Sequence, residues 1–162
     1  MAESSLDVVS QFDQQELVNA LDQVRREVAT RYDLKGAKVS LELTKTEITL
    51  HADDEFRAGA VKDLLETKAV RRGLSLKVFD WGKLEPAAGG TVRQRIGLHR
   101  GLTAEQAKEI ARMVREGFPK VKPVIQGDAV RVSGKSKDEL QGVITHLRGL
   151  DYPVALQFIN YR

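Results

Sequence analysis

Apolar positions along the chain fall into runs with helical spacing and runs that alternate like strands. Leu6-Asp-Val-Val-Ser10 is a short β-rich run, and Asp13-x-x-Glu16 has the form of a capping box opening a helix. Leu17, Ala20, Leu21, Val24 and Val28 then recur at helical spacing, which predicts one buried stripe, and Gly36 stops the segment. Val39, Leu41 and Leu43, then Ile48 and Leu50, alternate on either side of a polar Thr44-Lys-Thr-Glu47 and predict an antiparallel hairpin. A second helix is predicted from Asp53 or Asp54, with Val61, Leu64 and Leu65 on its inner face and Gly73 at its end. Leu74, Leu76 and Val78, with Phe79 and Trp81, read as another strand, so the order is βαββαβ.

Glu85-Pro-Ala-Ala-Gly-Gly90 has the composition of a linker, and after it the same order begins again. A strand over 92–98 precedes a helix opened by Thr103-x-x-Gln106. Next come a run over 121–125, a Gly127-Asp128 turn, Val130 and Val132, a helix capped by Ser136-x-x-Glu139, and a last strand over 154–161. A shift of 90 places Leu17, Ala20, Leu21 and Val24 on Ala107, Ile110, Ala111 and Val114; a shift of 82 places Ile48, Leu50, Val61 and Leu65 on Val130, Val132, Val143 and Leu147. The offsets differ only by hairpin length, which reads as an internal duplication. The expected fold is α+β: two ferredoxin-like domains, residues 1–88 and 89–162, each with two helices on one face of a four-stranded antiparallel sheet. The opposite sheet faces are left for solvent or a partner.

Composition narrows the setting. The 162 residues are 41% apolar and 30% charged, as in a globular protein. The absence of cysteine excludes disulfides, thiolate metal sites and a cysteine nucleophile, and fits a reducing, cytoplasmic compartment. No run approaches the ~18 apolar residues of a membrane span, and the acidic, polar start resembles no targeting signal. The formal charge is +3, but residues 1–85 hold 13 Lys/Arg against 16 Asp/Glu (13 − 16 = −3) and residues 86–162 hold 13 against 7 (13 − 7 = +6). A basic second half suits an anionic partner, or simply a solvated basic surface.

Few side chains are arranged for chemistry. Arg93 and Arg95 should project from one face of the 92–98 strand, offering planar forks for phosphate or a guanine edge, or else a charged strand surface. Phe79 and Trp81 lie close by in sequence and are candidates for base stacking, although a lone tryptophan in a strand more often packs in a core. Gly134-Lys135-Ser136 resembles the end of a phosphate loop, yet Ala129 stands where the earlier glycine belongs. What survives is an anion seat at a helix start with Lys135 and Lys137, joined by Arg131 on the preceding strand; helix capping by Ser136 explains the same residues without a ligand. The runs Glu47-Ile-Thr-Leu-His-Ala52 and Asp128-Ala-Val-Arg-Val-Ser133 lack the aromatics with which RNA-recognition sheets stack bases, leaving RNA binding through charge and shape. His51, His99 and His146 are scattered, with His146 expected as a packing residue of the last helix. No catalytic residue, metal site or cofactor is expected, hence no enzyme.

Several stretches together resemble a known family. Leu6-Asp-Val-Val-Ser10, Arg31-Tyr-Asp-Leu-Lys-Gly36, Gln126-Gly-Asp-Ala-Val-Arg-Val-Ser-Gly-Lys-Ser-Lys-Asp-Glu-Leu-Gln141 and Gln157-Phe-Ile-Asn-Tyr-Arg162 are similar to the YajQ family of bacterial nucleotide-binding proteins. The resemblance implies two ferredoxin-like domains that exchange N-terminal strands, with 6–10 in the second sheet and 92–98 in the first. It also implies a non-enzymatic effector of a guanine nucleotide or dinucleotide such as cyclic di-GMP. The expected nucleotide contacts are Arg93, Arg95, Trp81, Phe79, Arg131, Lys135 and Lys137. Alternatives are an RNA-binding protein and a protein-interaction module; no membrane partner is expected.

Overall fold

The computed structural model describes residues 3–162. Its helices and strands are β1 (Ser4–Val9), α1 (Gln14–Thr30), β2 (Ser40–Leu43), β3 (Glu47–Ala52), α2 (Glu55–Arg71), β4 (Phe79–Pro86), β5 (Val92–Leu98), α3 (Ala104–Gly117), β6 (Lys122–Gln126), β7 (Ala129–Gly134), α4 (Lys137–Gly149) and β8 (Gln157–Ile159). They make an α+β fold with two four-stranded antiparallel sheets, ordered β2-β3-β5-β4 and β6-β7-β1-β8, consistent with ferredoxin-like domains.

The chain divides into two compact units. Phe12–His99 forms one, here the inserted unit; residues 3–11 and Arg100–Arg162 form the other, the split unit. Strand β1 pairs with β7 and β8 in the split unit, while β5 lies between β3 and β4 in the inserted one. Each contributes apolar side chains to the core it joins. Leu6 and Val8 of β1 are fully buried with Ile110, Val130, Leu140 and Leu147; Ile96 of β5 is fully buried with Leu17, Leu21, Ile48 and Leu65. Burying each such side chain stabilises by about 1.5–3 kcal/mol, which binds both strands to these sheets.

Local signals place the helices as their spacing predicts. The Asp13 carboxylate accepts from the amides of Gln15 and Glu16, the Asp54 carboxylate from Arg57, and the Ser136 hydroxyl from Glu139. At α3 the box is reciprocal: Gln106 N–H donates to the Thr103 hydroxyl at 3.1 Å and Thr103 N–H to the Gln106 side chain at 3.0 Å. A cap of this kind contributes about 1 kcal/mol.

Four local expectations give way. Leu76–Val78 is a 3₁₀ turn rather than strand, because the Ser75 hydroxyl accepts from the Lys77 amide and starts a turn. Glu85-to-Gly90 joins two strands of one sheet: β4 runs to Pro86, then a tight turn with Gly89 and Gly90 at positive φ leads into β5. The last strand covers only Gln157–Ile159, since Tyr152 and Val154 turn into the core before pairing begins. His146 is exposed, its ring edge-on to Phe118 at 5.9 Å, instead of packing in the inner stripe. Among the described residues, no helix is long and apolar enough to cross a membrane.

Candidate functional site

The period of two along a strand decides which side chains can act together. In the inserted unit, Leu41, Ile48, Leu50 and Ile96 face the helices and the core. The other face carries, in register across the sheet, Ser40, His51, Arg93 and Glu85 in one row and Glu42, Thr49 and Arg95 in the next. Arg93 and Arg95 therefore share the helix-free face. Arg93 donates from one terminal nitrogen to Glu85 at 3.3 Å, while its enclosed Nε has no partner among the described residues. Arg95 is exposed and makes no hydrogen bond or ion pair there. Ser40 Oγ lies 3.4 Å from His51 Nδ1, and these two with Lys38, Val39, Ala52 and Thr91 line a hollow of about 230 Å³.

Gln94 explains why the alternation of this strand is imperfect. Its side chain points inward, is nearly buried, and donates to the Gly82 carbonyl at 2.8 Å. That carbonyl lies at the irregularity in the β4 and β5 register between Trp81 and Leu84. A polar side chain is thus accommodated in the core by a backbone acceptor. Gly82 itself is required sterically: a Cβ there would lie 2.6 Å from the Arg95 carbonyl oxygen.

Phe79 and Trp81 belong to the opposite face. They pair with Leu98 and Ile96, Phe79 is buried in the core, and Trp81 packs against that core with its ring 6.0 Å from Phe79. Lys62 of α2 lays its ammonium 4.8 Å from the Trp81 ring centre. The sheet thus separates the two aromatics from Arg93 and Arg95, and one ligand cannot lie against both sets without crossing it.

Arg131 in the split unit is already engaged. It forms a two-pronged contact with Asp7 across β1 and β7, at 2.9 and 3.3 Å, and Asn160 donates to the same carboxylate at 2.8 Å. The Arg131 guanidinium first, and the Asn160 amide second, hold the Asp7 carboxyl below the usual range; the carboxylate in turn raises Arg131. Lys135 and Lys137 are exposed beside the Ser136-capped start of α4. Val124, Arg131, Asp7 and Ile159 form one row across this sheet, with Val124 and Ile159 exposed.

Sequence reasoning set His51 aside as one of three scattered histidines and did not single out Ser40 or Thr91. The parity of Glu47, Thr49 and His51 along β3 does put them on one face, but their pairing with Arg93 and Arg95 depends on which sheet receives β5. Among the described residues no group of three or more His, Asp and Glu is placed to hold a metal ion.

The fold thus defines an α+β protein of two four-stranded antiparallel sheets, each completed by a strand from the other half of the sequence. Residues 4–162 match the family model described as nucleotide-binding protein YajQ-like, and the chain belongs to that family. It is 60% identical over 162 residues to a nucleotide-binding protein of Chloroflexus aggregans, covering 99% of this chain and 98% of that one. It is likewise 57% identical over 159 residues to a nucleotide-binding protein of Synechococcus elongatus and 54% identical over 159 residues to one of Trichodesmium erythraeum, with 98% of each chain covered in both cases.

Proposed function

We propose that this protein is a cytoplasmic, non-enzymatic nucleotide effector that takes the phosphates of a guanine nucleotide or cyclic dinucleotide on the helix-free face of β5. The observation that carries the reading is Arg95: an exposed guanidinium without a partner among the described residues, two positions from Arg93 on the same strand face. Two guanidinium forks suit phosphate oxygens or the acceptor edge of guanine. His51, Ser40 and Thr91 supply further hydrogen-bonding groups beside them. Membership of a family whose relatives are named nucleotide-binding proteins supports the same reading. Arg131 has a lesser part in it, because a ligand anion there would compete with Asp7; the base needs a platform other than Phe79 and Trp81.

Titration calorimetry with cyclic di-GMP, GTP and a short structured RNA at two salt concentrations tests the proposal. Saturable, modestly salt-dependent heat with a guanine ligand, abolished in Arg95→Ala at unchanged stability, is the expected result. Silence with both nucleotides and steeply salt-dependent RNA binding would replace it with recognition of RNA by charge and shape.

A further inference from the structure

Helix α2 carries a glycine that its own fold does not explain. Gly59 lies in the interior of a 17-residue helix, where glycine costs stability relative to alanine, and a Cβ built on it meets nothing within 4 Å. A Cβ there is unobstructed, and alanine in place of glycine would strengthen the helix. What Gly59 does provide is the floor, with Ala60, of an open groove of about 620 Å³. Arg31 and Asp33, on the segment after α1, form one wall, and the outward face of α2 forms the other.

The groove combines an apolar anchor with an excess of negative charge. Phe56, three residues before Gly59 and so one turn away, is 74% exposed, a large aromatic surface left in water. Arg31 Nε lies 2.8 Å from Asp33 and Lys62 lies over the neutral Trp81 ring, so the lining sets four carboxylates, of Asp33, Glu55, Asp63 and Glu66, against two cations. Glu55, Asp63 and Glu66, which share the face of Gly59 at offsets of −4, +4 and +7, have no ion-pair or side-chain hydrogen-bond partner among the described residues. Such a surface repels phosphate and is complementary to Lys and Arg.

We infer that the Gly59 groove is a docking site for a basic amphipathic helix of another protein. The side-chain gap at Gly59 lets a second helix approach closely, Phe56 packs on its apolar stripe, and the three carboxylates receive Lys and Arg flanking that stripe. This site is separate from the arginine face of β5 and does not depend on nucleotide binding there.

The probe is an 18-residue capped peptide with Leu on one helical face and Lys and Arg around it, set beside the same peptide with Glu at every Lys and Arg position. Its binding to the whole protein is followed by fluorescence anisotropy, with thermal melts of each variant. The basic peptide should bind and the acidic one should not. Gly59→Leu should remove binding while melting at or above the parent temperature, so lost affinity cannot be lost folding. Phe56→Ala and Asp63→Lys should each weaken binding by about tenfold or more. Unchanged binding in Gly59→Leu, equal binding of the acidic peptide, or no binding of the basic peptide would each overturn the inference. So would concentration-dependent self-association abolished by Gly59→Leu, which would make a second copy of this chain the occupant.

Discussion

The two sheets hold a charged side chain at the same place and treat it in opposite ways. Superposing the repeats aligns Arg131 with Thr49 and Asp7 with Arg95, because Val130 and Val132 of β7 match Ile48 and Leu50 of β3 and the register follows. In the split unit a cation on β7 meets an anion on the exchanged strand β1, and the pair is closed. In the inserted unit a neutral threonine meets an arginine, and the charge stays open. A guanidinium on a sheet face is thus a structural brace when its cross-strand neighbour is a carboxylate and an available ligand group when it is not. Side-chain type alone does not distinguish the two.

The comparison can be broken most severely at Gly82. In Gly82→Ala the new Cβ collides with the Arg95 carbonyl, so β4 must leave β5 or the irregularity must rearrange. The expected loss is about 3 kcal/mol, read from denaturant unfolding with the single tryptophan, Trp81, as reporter. An unaltered unfolding midpoint would show that the turn relaxes freely. Next comes Asp7→Asn, which removes the charge of a nearly buried carboxylate holding Arg131 and Asn160, at an expected cost of about 2 kcal/mol near neutral pH. Because the folded state lowers the Asp7 pKa, this stabilisation is present above the ordinary carboxylate pKa and is lost as pH falls through the lowered value. Parent and variant should therefore converge in stability in acid; a constant gap down to that range would contradict the ion-pair account.

Thr49→Asp imitates the closed pair in the open sheet by setting a carboxylate opposite Arg95. Stability should move by less than about 1 kcal/mol, as for an exposed pair, while nucleotide affinity falls as far as in Arg95→Ala. Retained affinity would remove Arg95 from the site. The smallest effect concerns Tyr152, whose phenol is pushed up to about 12, first by burial and then by its hydrogen bond with Glu109. Folding stability is then complete below the ordinary phenol pKa and declines as pH rises from there toward about 12. Ultraviolet titration should find a late-titrating tyrosine, and Tyr152→Phe should remove it.

Much of this architecture is legible along the chain, and what is not has a physical reason. Helices are local, so Leu17, Ala20, Leu21 and Val24, or Ala107, Ile110, Ala111 and Val114, announce themselves by spacing, and their caps mark where they start. Strand partners are not local. Leu6 and Val8 alternate identically whichever sheet receives them, so periodicity carries no trace of the pairing of β1 with β7. Charge arithmetic suffers from the same blindness. The imbalance of −3 against +6 along the chain becomes 15 − 14 = +1 for Phe12–His99 and 11 − 9 = +2 for the remainder once residues are assigned to folded units. Arg93 and Arg95 account for the difference on one side, and Glu3 and Asp7 on the other. Parity along β5 correctly put both arginines on one face; parity along β4 could not place Trp81 relative to them, because that requires the register with Ile96.

The route of β1 also orders the birth of the protein on the ribosome. Everything the inserted unit needs has been synthesised once His99 emerges, so its sheet can close while translation continues. Strand β1, made before that unit, by contrast waits for β7 and then for β8 and Arg162, with Ser5 and Arg162 exchanging backbone hydrogen bonds at 3.1 and 2.9 Å. A segment made before the inserted unit therefore finds its neighbours only after that unit is complete, and synthesis halted before β8 would leave one finished unit and one held open.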